Sequence, residues 1–112
     1  PNTPLDVLHL IAKNTPYYSL QAKVARNPNT SPETLEMLSR SENWAVLLPV
    51  AEHPNTSVEV LRNLAESEDT DVLTEVARNP HTPKDVLEFF LGSSDSFISS
   101  VARSNLKEQN NA

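Results

Sequence analysis

Val76-Ala77-Arg78-Asn79-Pro80-His81-Thr82-Pro83-Lys84-Asp85-Val86-Leu87 ends one helix, turns a corner and starts another. The same instruction stands earlier as Val24-Ala25-Arg26-Asn27-Pro28-Asn29-Thr30-Ser31-Pro32-Glu33-Thr34-Leu35. It stands again as Val50-Ala51-Glu52-His53-Pro54-Asn55-Thr56-Ser57-Val58-Glu59-Val60-Leu61. A partial copy opens the chain at Pro1-Asn2-Thr3-Pro4-Leu5-Asp6, and a decayed one lies at Val101-Ala102-Arg103-Ser104-Asn105. The residue before a proline is pushed out of the helical region, so helices are expected to stop near Asn27, His53 and Asn79. Thr3, Thr30, Thr56 and Thr82 are each followed three residues later by an acid, the spacing of a capping box with threonine at the N-cap. Pro4 and Pro83 are then expected at the first helical position, where a missing N–H costs nothing.

Outward from the corners, the apolar residues form ladders. Leu8, Leu35, Leu61 and Leu87 make one, and Ile11, Leu38, Leu64 and Phe90 a second. Leu20, Val46, Val72 and Phe97 make a third, Val24, Val50, Val76 and Val101 a fourth, and Ala25, Ala51, Ala77 and Ala102 a fifth. The fourth unit, read this way, is one residue shorter between its helices. A unit of about 26 residues cannot bury an apolar face alone, so neighbours must cover one another. The ladders predict an all-α stack of four helix-pair units, at about 1–27, 28–53, 54–79 and 80–104, in a domain spanning 1–106. Residues 107–112 read as a polar tail that frays. Pro49 falls inside the second helix of its unit and predicts a short, kinked or 3-10 segment there. Gly92 is expected as a C-terminal helix cap.

The pattern Val-Ala-x-Asn-Pro-x-Thr-x-x-x-x-Leu-x-x-Leu, complete at Val24–Leu38, resembles the leucine-rich repeat variant family of bacteria. It recurs at Val50–Leu64 with His53 for asparagine and at Val76–Phe90 with phenylalanine for the last leucine. The resemblance implies a right-handed superhelical solenoid whose units pair an α-helix with a short α- or 3-10 helix. It transfers no catalytic residue. An iron–sulfur segment known in the family is not carried over, because this chain has no cysteine.

Bulk properties narrow the function. The net charge is −6, which disfavours a phosphate-binding surface. Residues 2–28 sum to +2, 29–54 to −3, 55–80 to −4 and 81–105 to −1. Arg26, Arg78 and Arg103 share a ladder that Glu52 interrupts, so no continuous basic stripe for nucleic acid is expected. No apolar run reaches transmembrane length, and a cytoplasmic protein is expected. The start at Pro1, inside a repeat, reads as a piece of a longer chain.

His9, His53 and His81 occupy three different ladder positions, unlike a metal set. His53 stands where Asn27 and Asn79 stand and is read as a turn residue; His9 is read as exposed. Glu66, Glu68, Asp69, Asp71 and Glu75 crowd one region without the spacing of a calcium loop, and are read as a solvated acidic corner. No nucleophile stands beside a histidine base. No catalytic residue, metal or cofactor is expected. The expected function is a non-catalytic scaffold for another protein, one carrying a basic patch. The candidate contact surface is Trp44, Met37, Tyr17, Arg40, Arg62, Glu66 and Glu68, because tryptophan and tyrosine are enriched at such places. Trp44 also has a plainer reading, as a lid on the middle turn of its own unit. A structural spacer is the alternative, and nucleic-acid binding a third. End-to-end self-association is expected from apolar ends left uncovered, with Leu5 and Leu8 at one end and Phe97, Ile98 and Leu106 at the other.

Overall fold

The corners fall where the prolines put them. In the computed structural model, which describes residues 4–111 and the side chains of 7–111, eight helices follow one another. They are α1 (Pro4–Asn14), α2 (Tyr18–Arg26), α3 (Pro32–Leu38), α4 (Trp44–Glu52), α5 (Val58–Leu64), α6 (Thr70–Arg78), α7 (Lys84–Leu91) and α8 (Ser96–Asn110). The copies at Pro1–Thr3, with the expected Thr3 cap, and the side chain of Leu5 lie outside the described residues. The C-caps Asn27, His53 and Asn79 are all extended, with ψ of 125°, 133° and 123°, as the following prolines require.

Thr30, Thr56 and Thr82 do not cap. Ser31 and Ser57 are the N-caps, accepting from the backbone N–H of Thr34 and Val60. Pro83 stands at the N-cap of α7 rather than at its first helical position. Thr30, Thr56 and Thr82 lie one residue further out and are buried. Each hydroxyl donates backwards to a main-chain carbonyl: Thr30 to Val24 at 2.5 Å, Thr56 to Val50 at 2.6 Å and Thr82 to Val76 at 2.6 Å. Those are the carbonyls whose i+4 donor would be Pro28, Pro54 and Pro80, which have no N–H. The threonine supplies the donor that its own corner proline removed.

The second helices form the spine. α2 packs on α4, α4 on α6 and α6 on α8, while α1 packs on α2 and α3, and α5 and α7 dock on α6 and α8. Cα extents are 44 × 29 × 17 Å. Leu35, Leu61, Leu87, Val46, Val50, Val72 and Val76 are fully buried. Ala25, Ala51 and Ala77 are also fully buried where the second helices pass closely. Ile11 and Leu20, by contrast, are edge residues with 37% and 38% exposure.

Several expectations need correction. The fourth unit has lost no residue: N-caps Asn43, Asp69 and Asp95 are evenly spaced, and α8 follows the same register. Ile98, not Phe97, therefore continues the Val46–Val72 ladder, and Ala102, not Val101, continues Val50–Val76. Phe97 points outward at 56% exposure. Leu106 stands where Pro28, Pro54 and Pro80 stand, so nothing stops α8, and it continues to Asn110. Residues 107–110 of the expected frayed tail are therefore helical, and Gln109 donates to Pro80 O and Thr82 O at 3.2 and 2.9 Å. Ile98 is buried, and Leu8 and Leu106 pack on the core, so none of the three is an uncovered end residue. α4 is a nine-residue α-helix like α2 and α6, not a short segment. Pro49 is its sixth residue, so only one bond is lost there, and the ring is buried. Gly92 caps α7 with φ −85° and ψ 4°, so no left-handed residue is used.

Candidate functional site

The corner residues build the joints between units. The Asn79 amide donates to Ala51 O and His53 O at 2.8 and 3.3 Å, and its oxygen accepts from His81 N–H. Asn105 does the same to Ala77 O and Asn79 O at 2.8 and 2.9 Å. His53 plays the part of asparagine: Nδ1 accepts from Asn55 N–H at 3.0 Å, which leaves Nε2 to donate to Asn27 O at 2.8 Å. This is a structural histidine, as the sequence reading held. His9 is not exposed but half-buried, with Nδ1 2.8 Å from Thr34 Oγ1 across to α3.

With packing and joints assigned, the residues free for function remain. Trp44 opens α4 at 57% exposure, so more than half of it is free of the rest of the chain. Tyr17 is the N-cap of α2 at 67% exposure. Met37 is half-buried and packs on the core. Arg40 is exposed and pairs with Glu36 of α3 at 3.3 Å. Glu68 is exposed in the turn before α6. Arg62 of α5 makes a two-point contact with Asp85 of α7, at 2.6 and 3.1 Å. The Arg62 guanidinium holds the Asp85 carboxyl below its ordinary value, chiefly by hydrogen bonding, and Asp85 in turn raises Arg62. Arg62, Glu66, Asp85 and Phe89 line a shallow recess of about 220 Å³, with Phe89 74% exposed. Of the expected surface, the structure brings Arg62 and Glu66 together there.

A larger groove of about 380 Å³ runs along the second helices. Glu52 of α4, Asp71, Thr74, Glu75 and Arg78 of α6, and Asp95 and Phe97 at the start of α8 line it. Arg78 donates to Glu75 at 3.1 Å and lays its guanidinium 5.8 Å from the centre of the Phe97 ring. The Glu75 side chain is only 14% exposed. Burial raises its carboxyl above the ordinary value; the neighbouring Glu52 raises it further, and Arg78 pulls it back. Asp95 is the N-cap of α8 and accepts from Phe97 and Ile98 N–H. No group of three or more potential metal ligands gathers among the described residues.

The sequence reading missed Phe97 and with it this groove. The one-residue shortening assigned to the fourth unit put Phe97 in the core and Ile98 beside it. Strict 26-residue spacing from Asn43 through Asp69 to Asp95 was the signal that could have placed both. Phe89 shares a ladder with Met37 and Asn63, and the asparagine points to partial exposure there; Phe89 is exposed, although the expected surface did not include it.

Comparison with protein-family models, curated proteins and solved structures gave no match. What stands is an all-α chain of eight helices with recurring contacts along α2, α4, α6 and α8. No described helix is long and apolar enough to cross a membrane.

Proposed function

We propose that the chain is a non-catalytic helical repeat scaffold that binds another protein through the surface of its stack. The leucine-rich repeat variant pattern at Val24–Leu38 supports a right-handed solenoid as its shape. One observation carries the functional reading. The framework repeats almost unchanged, while five large aromatic residues, Tyr17, Tyr18, Trp44, Phe89 and Phe97, stand more than half exposed at positions that packing does not require. Such residues form the energetic centre of protein interfaces. The non-catalytic part rests on the sequence, which carries no catalytic motif; the Thr34 hydroxyl that meets His9 is buried and out of reach of a substrate.

Affinity capture with the chain in its native context tests this. A partner should be retained, and lost when Trp44→Ala is combined with Glu66→Lys and Glu68→Lys. Failure to retain any protein at low or moderate salt refutes the scaffold and leaves a spacer.

Association of copies through the first unit belongs to the same reading. Val7, Leu10, Ile11 and Leu20 are exposed there at 46%, 55%, 37% and 38%. Sedimentation should show concentration-dependent association that Leu10→Glu abolishes; a strict monomer at high concentration refutes it.

A further inference from the structure

The geometry points to the groove between α6 and α8 as a docking site for a lysine or arginine side chain on an extended segment of the partner protein. This rests on the scaffold reading above and names the chemistry of its partner. Carboxylate residues line the groove from three successive second helices: Glu52 on α4, Asp71 and Glu75 on α6, and Asp95 at the N-terminus of α8. Arg78 is the single cation in its lining, and its ion pair is with Glu75. Negative charge is therefore in excess in an open cleft, where a complementary cation is steered and held.

Charge alone does not select this place, because Glu66 and Glu68 are also acidic and exposed. The groove differs by having an aromatic wall. Phe97 is 56% exposed, and its counterparts one, two and three repeats earlier are Asp71, Ala45 and Ser19. The stack does not require an aromatic residue there. Arg78 already shows what the wall does, since its guanidinium lies 5.8 Å from the ring centroid while bound to Glu75. A second cation would find the rest of the exposed ring, with Asp71 and Asp95 in the same lining. Cation–π attraction and carboxylate pairing would then act together.

The probe is an octapeptide alternating arginine and serine, with lysine and glutamate counterparts, titrated into the intact chain at low and at physiological salt. Amide shifts in a proton–nitrogen correlation spectrum report the location. The arginine and lysine peptides should move Asp71, Thr74, Glu75 and Phe97, and the glutamate peptide should move none. Phe97→Ala should weaken binding roughly two- to thirtyfold. Phe97→Leu, which keeps apolar bulk but removes the π face, should weaken it similarly. Asp71→Asn should weaken it as well, and Glu66→Gln with Glu68→Gln should not. Absence of binding by both basic peptides overturns the proposal. So do shifts spread evenly over the acidic surface, or binding indifferent to both Phe97 variants. A natural partner that survives Phe97→Leu but is lost with Trp44→Ala would sink the groove and leave the scaffold standing.

Discussion

Thr56 shows how one side chain can be read correctly as important and wrongly as to cause. The Thr-x-x-acid spacing suggests a capping box, but the cap is Ser57, and the threonine hydroxyl serves the previous helix. The two roles separate by mutation. Thr56→Val keeps the shape and removes the donor to Val50 O, which still accepts from His53 N–H. It should cost about 1 kcal/mol by urea denaturation. Ser57→Ala should cost a similar amount, about 1 kcal/mol, through loss of the cap on Val60. Equal tolerance of both would refute the assignment. Gly92 makes the opposite case: a Cβ there would meet only Phe89 O at 3.6 Å, and φ is ordinary. Gly92→Ala should stabilise by about 0.4–1 kcal/mol, because the unfolded chain loses freedom that the fold does not use. Glu75 carries the pH dependence. Its carboxyl is raised in the folded state by burial first and by Glu52 second. The folded state therefore binds the proton more tightly than the unfolded one. That contribution is complete below the ordinary carboxyl range and is lost as pH rises through the raised value. Glu75→Gln should be more stable than the parent at neutral pH, with the difference shrinking in mild acid. A difference that grows on acidification would contradict it. Asp85, lowered by Arg62, runs the other way, but both side chains are exposed and contribute little.

Elements were more legible than residues, for a definite reason. Prolines at positions 28, 54 and 80 fix the ends of α2, α4 and α6, and local chemistry decides them without tertiary help. The ladders Leu35–Leu61–Leu87 and Val50–Val76 likewise follow from periodicity alone. What could not be read was the balance of competing rules. Pro49 breaks a helix in isolation, but on the buried face of a nine-residue helix flanked by α2 and α6 the packing outweighs one missing bond. The register of α8 was misread because Val101-Ala102-Arg103 looks like Val76-Ala77-Arg78, whereas Asp95 caps a helix in phase with Ile98, Ala102 and Asn105. That one slip hid Phe97, and hence the groove. α8 also tests the rule for the corners. Leu106→Pro restores the corner proline but leaves Ala102 O without a donor, since Glu108 stands where Thr30, Thr56 and Thr82 stand. It should cost about 3 kcal/mol and shorten the helix, as proline does in a helix interior. Adding Glu108→Thr should recover part of that loss. Far-ultraviolet circular dichroism and denaturation of the single and double variants would check it, and no recovery would refute the threonine-for-proline exchange.

At the scale of the molecule, stability is shared between neighbours rather than stored in one centre. Leu61 is fully buried, as are its ladder mates Leu35 and Leu87. Each unit is closed by the next through packing and through the joints of His53, Asn79 and Asn105. The ends are unequal. α8 extends past the last corner and ties Gln109 to Pro80 and Thr82, while α1 leaves Leu10 and Ile11 exposed. Local opening free energy in such an array follows the interfaces that each unit makes. Amide hydrogen exchange should therefore be fastest in α1, slowest in α4 and α6, and slower in α8 than in α1. Leu61→Ala should cost roughly 2–5 kcal/mol. Its effect should appear as faster exchange in α4 and α6 together, because the cavity lies in the third unit, which holds α6 and shares a face with α4. Leu10→Ala, at a half-exposed site, should leave those protections unchanged. Uniform exchange along all eight helices, or an effect of Leu61→Ala confined to α5, would show that the units are not coupled as the packing requires.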